Sequence, residues 1–129
     1  MLRTPAGFVR PAELRSACLA HAGSGEEFPF GPETSVFKVA GKMFALSPLG
    51  SPPLRVSLKC EPGLAEELRG AYEAITPGYH LNKRHWNTVE VAGVPAKLLL
   101  DMIEDSYDLV VSALPRKTRE QLGWAPETS

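Results

Sequence analysis

A chain of 129 residues with 43% hydrophobic content and a formal charge of −1 is sized for one domain, and folding it buries roughly two-thirds of the surface its unfolded form exposes. Two isolated cysteines, Cys18 and Cys60, show neither a Cys-x-x-Cys pair nor ligand spacing, which argues against a disulfide framework or zinc finger and for packing thiols in a reducing cytoplasm. No segment approaches ~18 consecutive apolar residues, and the opening MLRTPAGFVRP lacks the apolar stretch of a signal peptide, so a cytoplasmic chain that does not engage a membrane is expected.

Taken in order, residues 1–10 read as a loose arm. Pro11 suits a first helical position, and Leu14 and Cys18, with His21 beyond, trace an apolar stripe until Gly23-Ser24-Gly25 ends the helix. Residues 26–33 are too rich in Pro and Gly to be regular, and Phe28 and Phe30 are expected to anchor that loop on the core. Residues 34–39 and 43–47 are strand-like, joined by the short connection Ala40-Gly41-Lys42. In residues 55–60 the alternation is clean: Val56, Leu58 and Cys60 face one way, and Arg55, Ser57 and Lys59 the other. That pattern predicts a sheet with one buried face and one wet, basic face.

Pro62 opens a second helix, with Glu66 and Glu67 in its early turns and Leu64, Leu68, Ala71, Tyr72 and Ile75 as its stripe. Gly70 within it costs ~1 kcal/mol relative to Ala, unless a neighbour packs close there. Residues 79–82 and 86–91 then form a second hairpin after the turn Pro77-Gly78. Pro95 opens a last helix carrying Leu99, Ile103, Val110 and Leu114. Pro115 stops it, and Arg116, Lys117 and Arg119 begin a polar tail that frays, residues 120–129 being loosest and Trp124 uninformative. The order α-β-β-β-α-β-β-α predicts an α+β two-layer sandwich, with helices on one face of an antiparallel sheet.

Charge is segregated along the chain. Residues 34–60 hold four cations (Lys38, Lys42, Arg55, Lys59) and no acid, while acids gather at Glu61, Glu66, Glu67 and Glu73 and again at Glu90, Asp101, Glu104, Asp105 and Asp108. The stretch GYHLNKRHWNT, residues 78–88, is the densest in chemistry. It holds Tyr79, His80, Asn82, Lys83, Arg84, His85, Trp86 and Asn87, and again no acid. Such a surface either meets phosphate or is a solvated hairpin tip, where Lys also discourages edge-to-edge pairing.

Other chemistries find less support. In a strand His80 and His85 would point to opposite sides, and no third ligand stands nearby, so no metal is expected. Cys60 with His80 or His85 is the one thiol–imidazole pairing worth naming, but Cys60 falls on the apolar face of its strand, where a thiol is inert packing. The sequence contains no phosphate-binding glycine loop, metalloprotease motif or nucleophile elbow. A binding protein without cofactor, and not an enzyme, is the expectation.

The chain also resembles the MmcQ/YjbR-like family over residues 11–119. The resemblance rests on PFGPET (29–34), VFKV (36–39), GKMFA (41–45), VSLKC (56–60), TPGYHLNKRHWNTV (76–89), SYDLVV (106–111) and LPRK (114–117), in that order. It implies a domain similar in architecture to secretion chaperones and frataxin-like proteins, and DNA binding through a double wing of β-hairpins. On that reading the partner is double-stranded DNA, gripped by its phosphates with little sequence specificity. Lys38, Lys42, Arg55, Lys59, Lys83 and Arg84 supply charge, and Tyr79, His80, Asn82, His85, Trp86 and Asn87 supply hydrogen bonds or stacking. The alternative is a protein partner on the exposed sheet face, the chain being a monomer or weak dimer.

Overall fold

The computed structural model describes residues 9–124. Six strands form one antiparallel sheet in the order β1-β2-β3-β4-β6-β5. The elements are α1 Pro11–Leu19, β1 Ser24–Glu27, β2 Ser35–Val39, β3 Lys42–Ser47, β4 Arg55–Lys59, α2 Pro62–Ala71, β5 Ile75–Pro77, β6 Trp86–Glu90, α3 Ala96–Ser112 and α4 Arg116–Gln121. The expected α-β-β-β-α-β-β-α order holds, with an extra strand near the start and an extra helix at the end. Helix α3 packs across β2, β3 and β4, α1 against β1 and α3, and α2 against β5 and β6.

The alternation in β4 does what its sequence demands. Val56 and Leu58 enter the core with Phe37, Val39, Val89 and Ile75, while Arg55 and Lys59 face outward. Ser57 also lies on the outer face yet is only 5% exposed, set between Leu46 and Thr88 in the neighbouring strands, and its hydroxyl meets that of Thr88 at 2.9 Å. Register between β2 and β3 shifts after Phe37, so Phe44 has no cross-strand partner and Phe44 and Ala45 are both buried in the core. Helix α3 presents Leu99, Met102, Ile103, Tyr107, Val110 and Val111 to this layer, a helical spacing that continues the expected stripe.

Several local expectations are corrected. Strand β1 occupies residues read as the end of a helix and a loop; Gly23 at φ 71° turns the chain and the Ser24 hydroxyl binds the carbonyls of Cys18 and His21. Its SGEE sequence has no β-branched residue, so pairing with β2, rather than propensity, makes it a strand. Phe28 and Phe30 do not anchor the loop; they are 49% and 70% exposed. Helix α2 stops at Ala71, and Ile75 belongs to β5, where Pro77 is tolerated because β5 is an edge. Residues 79–82 are therefore not a strand but part of the β5–β6 connection. Nothing packs close to Gly70, and Leu64 is exposed, Ala65 being the buried residue of α2.

At the C-terminus α3 ends before Pro115, as expected, but Pro115 then serves as N-cap of α4 where a fraying polar tail was expected. Leu122 packs on the core, and the Trp124 indole donates to Asp108 Oδ1 at 2.8 Å, so the chain stays seated through the last described residue. The arm at residues 1–8 and the tail at 125–129 lie outside the described residues. Among the described residues no helix is long and apolar enough to cross a membrane.

Helix α2 is capped by Glu61, which precedes the Glu66 and Glu67 expected in its early turns. Its carboxylate accepts from the amides of Gly63 and Leu64, both at 3.0 Å, which satisfies two orphan donors. These bonds hold the Glu61 carboxyl below its ordinary value of 4.5. The folded state thus binds the proton less well than the unfolded chain, and the contribution is present above 4.5 and lost as pH falls through the lowered folded value. Glu61→Gln is expected to lower Tm at pH 7, with the gap to the native protein closing as melts are taken below pH 4.5. A gap that persists unchanged in acid would show that the charge contributes nothing.

Candidate nucleic-acid interface

The antiparallel register brings distant basic residues to one end of the sheet. Lys42 starts β3, Lys59 ends β4 opposite Trp86, and Trp86 starts β6. The tight β2–β3 turn at Ala40 and Gly41, both at positive φ (49° and 78°), projects beside the β5–β6 connection at this end. Lys42, Lys83 and Arg84 are exposed and Lys59 is half-exposed, and among the described residues none of the four forms an ion pair.

Residues 78–85 connect β5 and β6 in a conformation built from hydrogen bonds within the segment and to its neighbours. Gly78 donates to the Trp86 carbonyl at 2.8 Å, and a Cβ at Gly78 would lie 2.7 Å from that of Trp86, so only glycine fits. Asn82 Oδ1 accepts from the amides of Arg84 (2.9 Å) and His85 (3.3 Å), an Asx turn that fixes the backbone at both residues. The His85 carbonyl accepts from the Cys60 amide at 2.8 Å and ties the segment to the end of β4. From below, Arg69 Nη1 donates to the Lys83 carbonyl at 3.1 Å and to Asn87 Oδ1 at 2.8 Å.

This arrangement divides the residues singled out in the sequence. Lys42, Lys59, Lys83, Arg84, His85 and Trp86 are gathered at one end. Lys38 is on the open face with Lys59 but is ion-paired with Glu27 at 3.2 Å, whereas Lys42 is the cross-strand partner of core-facing Val39. Arg55 is at the opposite end of β4, across from Glu90. Asn82 uses its side-chain oxygen within the turn. Asn87 is fully buried on the helix side of β6, its amide donating to the Ala65 carbonyl at 3.4 Å, so it reaches no ligand. Tyr79 and His80 fold back over the open face: the Tyr79 amide donates to Thr88 Oγ1 at 3.0 Å, and the two rings lie 4.0 Å apart. His80 adopts φ 57° in this turn, so strand alternation does not relate it to His85.

Arg69 escaped the sequence reading. Ala65 and Arg69 lie one helical turn apart, and the lone cation of α2 thus stands beside its buried alanine, a weak signal for an inward-facing guanidinium. Burial and then the nearby carboxylates of Asp105 and Glu61 push the Cys60 thiol up, and burial pushes Cys18 up to about 12. Both therefore favour the neutral thiol. Among the described residues no group of three or more His, Cys, Asp or Glu side chains is placed to hold a metal ion.

Comparison with known proteins agrees with this architecture. The family model described as YjbR matches residues 19–109. The uncharacterized protein YbdF of Escherichia coli O157:H7 is 40% identical over 97 residues, covering 74% of this chain and 79% of that one. The uncharacterized protein YjbR of Escherichia coli K12 is 33% identical over 112 residues, covering 86% and 95%. The crystal structure of a Deinococcus radiodurans protein with the family-model domain DUF419 superposes with TM-score 0.84 at 45% identity, covering 96% of this chain and 94% of that one. A Pseudomonas syringae crystal structure gives TM-score 0.66 at 29% identity, covering 79% and 98%. A family model spanning most of the chain, relatives at this identity and a shared sheet and helix arrangement lead to one conclusion: the chain belongs to the YjbR family.

Proposed function

We propose that this protein binds nucleic acid, double-stranded DNA in the first instance, by phosphate contacts from the basic end of its sheet. One observation carries the reading: three separate segments deliver Lys42, Lys59, Lys83 and Arg84 to that end, and none of the four is neutralised by an ion pair among the described residues. The β2–β3 turn and the β5–β6 connection would act as two wings on the duplex backbone, with His85 and Trp86 beside them. Exposed acids of α2 and α3, such as Glu66, Glu67, Asp101 and Glu104, belong to the opposite layer and keep it off the DNA. The proposal is of a cytoplasmic binding protein and not an enzyme, in keeping with a buried, neutral Cys60.

A handful of phosphate contacts implies modest affinity, steep salt dependence and weak sequence preference, since phosphate contacts carry no sequence information directly. Fluorescence anisotropy of labelled duplex DNA across a salt series tests this. Lys83→Ala/Arg84→Ala is expected to weaken binding at about 50 mM salt by roughly tenfold, and to make the slope of log K against log salt shallower by about 2. Native protein that leaves the DNA free at low salt would sink the proposal. A protein partner is the second reading, favoured by the exposed Phe28 and Phe30 in the β1–β2 connection.

A further inference from the structure

We propose that the groove on the open face of the sheet is a small-molecule site for a planar aromatic ring carrying an anionic group, a carboxylate or a phosphate. The groove encloses about 570 Å³, within the range of small-ligand sites, roughly 300–1,000 Å³. Its floor is one cross-strand row, Leu46, Ser57, Thr88 and Thr76, from β3, β4, β6 and β5. Tyr79 forms one wall and Arg55 also lines it, at the end of β4 away from Lys59.

The floor is already satisfied. Ser57 and Thr88 share a hydroxyl bond of 2.9 Å, Thr88 Oγ1 also accepts the Tyr79 amide, and Thr76 Oγ1 donates to the Thr88 carbonyl at 3.3 Å. A ligand therefore meets a pre-organised surface that offers mainly contact area. Two groups are left to recognise it. Tyr79 is 72% exposed, its backbone is pinned to Thr88, and although the His80 ring lies 4.0 Å from its own, most of its ring surface stands open at the groove for a ligand ring to pack on. The Arg55 guanidinium makes no hydrogen bond or ion pair among the described residues. Its cross-strand neighbour Glu90 does not line the groove, nor does any other acid. A guanidinium free of an ion pair among the described residues, at a groove with an aromatic wall and no acid in its lining, selects an anion attached to a ring, with bidentate geometry available to carboxylate and phosphate alike.

Amide NMR titrations of the whole protein with adenosine monophosphate, naphthoate, adenosine and inorganic phosphate test the proposal. At least one of the two aromatic anions is expected to shift the amides of Ser57, Thr76, Tyr79 and Thr88 saturably, with adenosine and phosphate far weaker. Arg55→Gln and Tyr79→Ala, both exposed positions, are each expected to weaken that binding about tenfold. Lys83→Ala/Arg84→Ala is expected to leave it unchanged, so this site and the DNA reading stand or fall separately. Absence of saturable shifts with both anions overturns the proposal. So do shifts that map to the Lys83 end of the sheet, equal binding of adenosine, or affinity unaltered in Arg55→Gln.

Discussion

Replacing Phe44 by alanine is expected to remove about 3–5 kcal/mol of folding free energy, the range for deleting a buried phenyl ring. Phe44 is fully buried. Its ring meets Tyr107 edge-on at 5.4 Å and His21 at 6.3 Å, while His21 itself stacks on Tyr107 at 4.7 Å. The backbone at the same position joins two strands to a helix: Ser106 Oγ donates to the Phe44 carbonyl at 2.6 Å and accepts from the Lys59 amide at 2.8 Å. Losing the ring opens a cavity where β3, α3 and the connection after α1 converge, and three elements cannot all relax into it. Since small domains have only ~5–15 kcal/mol of net stability, the variant should be marginal at 25 °C. Urea titration should show the midpoint fall with the m-value unchanged. A loss below about 1 kcal/mol would contradict the packing described, because no buried ring of this size is removed so cheaply.

Asn87→Ala carries the second-largest expected effect, about 1.5–3 kcal/mol, the scale of a lost hydrogen bond to a charged group. The residue looks like a ligand-facing polar group in sequence, but its side chain is fully buried and spent on Arg69 and Ala65. Truncation would leave the Arg69 guanidinium with the Lys83 carbonyl alone and would release the β5–β6 connection from α2. Arg69→Ala should cost a similar amount, and the double variant little more than the larger single loss, since both remove one shared bond. The DNA measurement separates positioning from contact. Asn87→Ala should weaken binding by loosening residues 78–85 while leaving the salt slope intact, because no phosphate-binding charge has been removed. A slope as shallow as that of Lys83→Ala/Arg84→Ala would instead make Asn87 part of the contact surface and contradict its burial.

What the sequence determined by itself was everything that depends on neighbours a few positions apart. The two-residue period of 55–60 set which side chains of β4 face the core, because a pleat alternates regardless of what packs on it. The prolines at 11 and 62 opened helices because each fixes φ where no amide partner is needed, and the stripe of α3 followed from helical spacing. The alternation of strands with amphipathic segments was enough for the α+β layering, and the absence of acids in two tracts marked the stretches that bear the basic end. Tertiary structure alone decided which of those cations meet. Lys42, Lys59 and Lys83 converge only because β4 pairs with both β3 and β6, whereas Arg55, four residues from Lys59, is carried to the far end of the same strand. It also made a strand of SGEE, ended α2 early so that Ile75 could join an edge, and turned Tyr79 back over the open face. Asn87 shows the reason most plainly. Its partner Arg69 is 18 positions away, and no local period records which side chain a folded helix will lay against it.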